Sequence, residues 1–340
     1  MIEKKRLQLA SQIADTEPVL ARKRIAVLIP CYNEELTVGS VVKQFREVLP
    51  TAEVYVFDNN STDRTVEVAR LAGASVAKEK RQGKGFVVQS MFQQVDADIY
   101  VMVDGDGTYP PQDVRKLIEP ILTEEADMVV GSRLHNGSRS EFKSLNRLGN
   151  RLFLALLNWT FKVEITDLLS GYRAFTRQIV KELPLFGGGF ETETELTIKA
   201  LARGYRIAEI PVNLTHRPEG SFSKIRIVHD GLLIANTIMV LFRDYKPLTF
   251  FGSLGLLFTS LGLIPGLLVI FEFMKTGLIR HFPSAVLAVG LVLTGMFLTM
   301  VGLILHTIVR RSQEFDHQIR TISNELNVQI ASALAHIDKK

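Results

Sequence analysis

Cysteine is almost absent from this chain of 340 residues. Cys31 is the sole one, so no intrachain disulfide is available and nothing requires an oxidising compartment. The formal net charge is only +4, and no basic stripe with interleaved aromatics occurs, which argues against nucleic acid as a partner. Met1 to Arg24 is charged and has no apolar core of signal-peptide length. The expectation is therefore a domain that is not exported and works in the cytoplasm. Neither an internal repeat nor a low-complexity segment is found.

Two stretches lack charge altogether. No Asp, Glu, Lys or Arg occurs from Pro247 to Phe271, or from His281 to Val309. Each run is about 25 residues or more, which at ~1.5 Å per residue crosses a ~30 Å hydrocarbon core. Pro265 would break a soluble helix but is tolerated in a membrane one. The other reading, a pair of buried core helices, is disfavoured because such helices rarely stay charge-free so long. The loop from Glu272 to Arg280 is short, so the spans form a hairpin. Arg243, Lys246, Arg310 and Arg311 flank its outer ends, against Lys275 and Arg280 in the loop. That excess predicts an integral membrane protein with both termini, and the domain that precedes the hairpin, on the cytoplasmic side.

What precedes the spans alternates strands and helices. Arg24 to Pro30 is an apolar run ending at a breaker, and Leu36 to Leu49 has helical periodicity. Glu53 to Phe57 reads as a strand, Thr62 to Ala72 as a helix, and Ile99 to Val103 and Asp127 to Val130 as further strands. This order predicts an α/β, doubly wound, mostly parallel sheet, with ligands beyond the carboxyl ends of its strands.

Polar clusters sit at those ends. Pro30-Cys31-Tyr32-Asn33-Glu34-Glu35 follows the first strand, where it suits a nucleotide or helix capping equally. In Asp58-Asn59-Asn60-Ser61-Thr62-Asp63 a carboxylate is placed to accept a uracil imide N–H or a ribose hydroxyl, or to cap the next helix. Gly83 and Gly85 on either side of Lys84 let backbone approach a phosphate while the ammonium supplies charge, without Walker-loop spacing. Asp104-Gly105-Asp106 places two carboxylates one residue apart on a turn, which suits a divalent cation bridging phosphate oxygens. Asp167 precedes Leu168-Leu169-Ser170-Gly171-Tyr172-Arg173, and Glu191, Glu193 and Glu195 follow. Glu191 and Glu193 read as helix-surface acids. Arg217, Ser223 and Lys224 lie just before an amphipathic stretch, Ile225 to Tyr245, where cations and hydroxyls suit a lipid phosphate or simply the membrane surface.

In this order the clusters resemble the family 2 glycosyltransferases with a GT-A fold. Within them the chain is similar to the polyisoprenyl-phosphate glycosyltransferases, the group of dolichyl-phosphate mannose synthase and undecaprenyl-phosphate glucosyltransferases. The resemblance runs from about Lys23 to Lys224. It implies a Rossmann-like GT-A catalytic domain (23–224) after an N-terminal tail (1–22). Amphipathic juxtamembrane helices (225–246), a two-helix transmembrane hairpin (247–311) and a C-terminal amphipathic helix (312–340) complete the chain. It implies inverting sugar transfer from a nucleotide-sugar, with UDP favoured by Asp58, to a polyisoprenyl phosphate, with Mg2+ or Mn2+ as cofactor.

Site roles follow from the same resemblance. Pro30, Tyr32, Asn33, Glu34, Asp58, Lys84, Asp104 and Gly105 would bind the nucleotide-sugar. Asp104 and Asp106 match an Asp-x-Asp metal motif. Asp167 and Asp106 would stand at the reacting centre, and Glu195 matches a carboxylate on the following helix. Arg217, Ser223 and Lys224 would hold the acceptor phosphate. Three positions depart from the pattern: Asn59 where a second Asp is common, Thr108 where many mannose synthases carry Gln, and Phe222 inside the Gly-Glu-Ser-Lys element. A processive polysaccharide synthase would carry Gln-x-x-Arg-Trp, which Trp159 lacks. A nucleotidyltransferase would carry a Gly-rich loop with Arg after the first strand. A membrane-anchored nucleotide-sugar-binding scaffold is the non-enzyme alternative. Phe315, Ile319, Ile322, Leu326, Ile330 and Leu334 form one helical stripe, which is compatible with a homo-oligomer, with the membrane surface or with packing on the soluble domain.

Overall fold

The computed structural model describes residues 23–133, 154–155, 157–189, 191–215 and 227–337. Strand β1 (Ile25–Cys31) is apolar along its length, β-branched at Ile25, Val27 and Ile29, and buried on both faces, as a central parallel strand must be. Ile25, Val27, Ile29 and Cys31 enter one apolar cluster, Ala26 and Leu28 the other. Helix α1 (Val38–Val48) buries Val38, Val41, Val42 and Phe45, the i, i+3, i+4, i+7 stripe of an amphipathic helix. Strand β2 (Glu53–Asp58), helix α2 (Thr65–Leu71), strand β3 (Ser75–Lys78), helix α3 (Lys84–Gln94) and strand β4 (Ile99–Met102) follow. A 3-10 turn (Pro111–Asp113) leads into α4 (Val114–Leu122), and then come β5 (Met128–Ser132), β6 (Arg173–Thr176), α5 (Arg177–Glu182), α6 (Thr192–Ala202) and β7 (Ile207–Pro211).

The seven strands form one sheet in the order β3-β2-β1-β4-β6-β5-β7. Only β6 runs against its neighbours, β4 and β5, so the sheet is mostly parallel. Helices α1, α2 and α4 cover one face, with Phe45, Ala69 and Leu117 packed on it. Helices α3, α5 and α6 cover the other through Met91, Ile179 and Leu196. Burying each large aliphatic side chain in these layers contributes about 1.5–3 kcal/mol before conformational entropy is subtracted.

Compactness divides the chain into Met1–Ile238 and Met239–Lys340. After α7 (Ile227–Tyr245), helix α8 (Pro247–Thr276) opens with proline at its first turn and closes at Gly277, whose φ of 67° is the left-handed conformation that ends helices. Helix α9 (Phe282–Ile337) packs antiparallel on α8 through glycine. A Cβ on Gly255 would stand 2.7 Å from Gly295 O, and one on Gly295 2.6 Å from Gly255 O, so the backbones touch as small residues permit in membrane hairpins. Both helices are long and apolar enough to cross a membrane, and only 17% of each apolar window is buried, unlike a soluble core helix. The segment expected as a C-terminal amphipathic helix at 312–340 is helical through Ile337, where it continues α9. No glycine or proline occurs from Leu303 to Ile337, and Arg310 and Arg311 pair with Glu314 one turn on, so nothing interrupts it.

Candidate active site

The site is built where β1, β2 and β4 end. Cys31, Asp58 and Lys78 are in register, and the Asp104–Thr108 turn follows β4. The three loops are tied together. Thr37 Oγ1 donates to Gly105 O (2.7 Å), the Asn33 amide to Ser61 Oγ (2.9 Å), and the Thr62 amide to Asn33 Oδ1 (2.8 Å). The Glu34 amide donates to Thr65 Oγ1 (2.8 Å), and Thr37 Oγ1 reaches Glu34 Oε2 (3.3 Å). Asn33 holds a left-handed φ of 53°, which asparagine tolerates better than most residues. Asn33 and Glu34 thus shape the loop, while Pro30 is half-buried and Tyr32 is exposed beside it. Asp63 is a turn residue: its oxygens accept from the Glu35 and Thr65 amides and from Thr65 Oγ1.

Asp58 is buried at 1% exposure. Its Oδ1 accepts the Ser61 amide (3.2 Å), whereas Oδ2 is buried with no hydrogen-bond partner among the described residues. A buried carboxylate oxygen without a donor is costly, and a nucleobase imide or ribose hydroxyl is the kind of group that would satisfy it. Asn59 next to it is a clasp. Its Nδ2 donates to Glu79 O and Arg81 O, and its Oδ1 accepts the Gly83 amide (2.7 Å). Aspartate has no N–H for the two carbonyls, which is the physical reason for asparagine at this position.

That clasp delivers Lys84. Its Nζ lies 2.5 Å from Asp104 Oδ1 and 2.6 Å from Glu193 Oε1. Burial opposes the ammonium, but the two carboxylates outweigh it and hold its pKa above the ordinary lysine value. Glu193 is therefore no surface acid. It is 3% exposed, on a helix buried from Thr192 to Ala200 that packs beside α3 and under contacts from the Gly187–Gly189 loop. Glu191 accepts the Gly189 amide, and Glu195 pairs with Lys199 (2.6 Å) and accepts the Phe186 and Gly187 amides, so both organise that loop.

Asp106 is buried, and its Oδ1 accepts from the amide and hydroxyl of Thr108 (3.0 and 2.7 Å). Asp104 presses on Gly171, where a Cβ would meet Oδ2 at 2.3 Å. Gly105 is backed by Cys31 Sγ, 2.6 Å from where its Cβ would be. Among the described residues no group of three or more His, Cys, Asp or Glu side chains forms a metal cage. Two carboxylates on one turn do fit an ion such as Mg2+ that completes its oxygen shell with substrate phosphates and water.

Asp167 is locked by an arginine absent from the sequence-derived site. Arg133 Nε and Nη2 donate to its two oxygens (2.8 and 2.9 Å), and the Arg133 amide adds a third bond (3.1 Å). Burial alone would raise this carboxyl, but Arg133 holds it below the usual aspartate value. Glu209 on β7 accepts the Thr166 and Asp167 amides, and the buried Arg173 donates to Ser170 O and Leu168 O (both 2.8 Å), so the 166–171 loop is fixed from both sides. The Tyr109 hydroxyl accepts the Gly171 amide (3.1 Å). Arg133 was findable by the strand-end rule, since it directly follows β5. Arg217, Ser223 and Lys224 lie outside the described residues.

A mostly parallel sheet of this order, with an Asp-Gly-Asp turn beyond its central strands, defines a GT-A glycosyltransferase. The chain belongs to glycosyl transferase family 2, whose profile matches residues 26–184. Glycosyltransferase AglJ from Haloferax volcanii is 34% identical, over 85% of this chain and 95% of its own. A dolichyl-phosphate hexose transferase from the same organism is 30% identical over 63% of this chain and 92% of its own. Among solved structures, glucosyl-3-phosphoglycerate synthase from Mycobacterium tuberculosis with Mn2+ and uridine-diphosphate-glucose superposes with a TM-score of 0.56 and 26% identity. That match covers 68% of this chain and 82% of that one.

Proposed function

We propose that this glycosyltransferase moves a sugar, with inversion, from a UDP-sugar to the phosphate of a polyisoprenyl phosphate such as dolichyl or undecaprenyl phosphate. The reaction takes place at the cytoplasmic face of the membrane crossed by α8 and α9. The observation that carries the donor class is the buried, unpartnered Oδ2 of Asp58 at the strand edge shared with Asp104 and Lys84. The acceptor class is supported by the apolar hairpin and by the dolichyl-phosphate hexose transferase relative.

Asp104 and Asp106 are the residues that would hold Mg2+ or Mn2+, which when bound offsets the charge of the departing diphosphate. Asp58 receives the base, and Lys84 supplies a cation toward the diphosphate. A lipid phosphate oxygen is already anionic near neutral pH, so the chain has no proton to remove from the nucleophile. Its contribution is positioning and charge stabilisation. Asp167 has both oxygens on Arg133 and acts by fixing that guanidinium, not as a base. Arg217, Ser223 and Lys224 are the proposed acceptor-phosphate ligands.

Titration calorimetry with UDP and GDP tests the donor half. Wild type should prefer UDP, and Asp58→Asn should lose about 1.5–3 kcal/mol of UDP binding, the worth of a hydrogen bond to a charged group. Unchanged UDP affinity in Asp58→Asn would remove the base-binding role.

A further inference from the structure

Lys84 is an unusual place for a cation. It is the first residue of α3, the helix end where the macrodipole disfavours positive charge, and its side chain is only 13% exposed. Two carboxylates compensate, and they differ in kind. Glu193 is buried on α6, whereas Asp104 is 28% exposed on the turn at the sheet edge. The backbone beneath Lys84 is held in place. Cβ atoms on Gly83 and Gly85 would stand 2.0 and 2.1 Å from the carbonyl oxygens of Gly188 and Gly187, and the Gly85 amide donates to Gly188 O (3.2 Å). What is left to move is the flexible four-carbon stem.

We propose that Lys84 is a resident counter-ion on Asp104 that an incoming divalent cation displaces, while Glu193 tethers the displaced ammonium where the diphosphate arrives. The inference rests on the nucleotide-sugar reading above and concerns how that site loads. Asp104 Oδ1 cannot keep an ammonium at 2.5 Å and also ligate a dication without setting two like charges side by side in a poorly hydrated site. Released from Asp104, the ammonium retains Glu193 and gains the diphosphate as a second anion. Without nucleotide, Lys84 competes with the metal for Asp104; with nucleotide, it has another partner. Metal and nucleotide therefore bind cooperatively, through a lysine that ligates neither metal nor base. Glu193 is a positioning residue in this scheme.

The test is Mn2+ binding to the full chain in detergent, read from loss of the free-ion electron paramagnetic resonance signal, first without nucleotide and then with UDP. Lys84→Met should bind nucleotide-free Mn2+ at least about tenfold tighter than wild type, and UDP should then enhance Mn2+ binding at least about tenfold less. Glu193→Gln, which leaves Lys84 to Asp104 alone, should weaken nucleotide-free Mn2+ binding. Arg81→Met is the control for general charge and should change it by no more than about twofold. Tighter binding cannot arise from lost structure, so a gain in Lys84→Met supports displacement. An unchanged or weaker Mn2+ affinity in Lys84→Met would overturn it, as would an equal gain in Arg81→Met. Failure of wild type to bind UDP with any metal would overturn the nucleotide-sugar reading instead, and is seen separately in the second titration.

Discussion

Gly171 lies where Asp104 leaves no room for a side chain. An alanine Cβ there would be 2.3 Å from Asp104 Oδ2 and 2.8 Å from its Cγ. Ordinary contact begins near 3.4 Å, so the carboxylate must retreat by about 1 Å. Gly171 is not in the left-handed region, so alanine meets no backbone objection and the damage falls on Asp104. Overpacking of this kind costs about 1–3 kcal/mol, or about 2–12 °C in Tm for a domain of this size. The larger effect is on function, because a reacting group displaced by about 1 Å loses about 100-fold in rate. Gly171→Ala should therefore keep a folded domain, lose about 100-fold in sugar transfer and weaken UDP-dependent Mn2+ binding. Transfer rate, Mn2+ titration and a thermal melt on the same preparation separate these effects. Wild-type transfer in a folded Gly171→Ala protein would refute the role of Asp104 in holding the metal and diphosphate.

Asn59→Asp should destabilise the domain by about 2–4 kcal/mol, because two carbonyls lose their donor and face a carboxylate; thermal melts in detergent read this directly. Arg133→Ala strands the buried Asp167 and should cost about 3–5 kcal/mol, with Arg133→Lys a poor rescue since lysine cannot make the paired contacts. Glu79 is held down to about 2 by its hydrogen bond to Arg81, against burial and with help from Ser90. Its stabilisation is thus complete above the ordinary glutamate value of about 4.3 and fades as pH falls towards 2. Glu79→Gln should accordingly show a smaller fall in Tm between pH 5 and pH 3 than wild type. In the hairpin, Gly255→Leu should force α8 from α9 and lower the thermal midpoint in detergent, whereas Gly290→Leu, with nothing within 4 Å, should not.

Much of this was legible in the sequence where a physical rule links neighbours. The run Ile25 to Ile29 reads as a buried strand because it is apolar at every position, and Asp58 and Asp104 read as site residues because each follows such a run. The charge-free stretches read as spans by length alone. What escaped depends on distant partners. Strand β6 is four residues, Arg173–Thr176, and its antiparallel place between β4 and β5 is set by neighbours far away in the chain. Glu191 and Glu193 read as helix-surface acids, and nothing local tells that Glu193 is buried against Lys84. Arg133 follows a strand as Asp58 and Asp104 do at their strand ends, but its role comes from Asp167, a partner distant in the chain. The change from apolar to polar composition near Arg310 marks the end of the charge-free stretch but not of α9, because no residue there breaks a helix.

Sugar transfer to a lipid phosphate is tested by giving the purified full chain polyprenyl phosphate, Mg2+ or Mn2+, and labelled UDP- and GDP-sugars. A metal-dependent, organic-soluble product from a UDP-sugar, absent in Asp104→Ala, is the predicted result. A nucleotide-sugar that binds but yields no lipid-linked product from any donor would contradict it and point to a different acceptor or a binding scaffold.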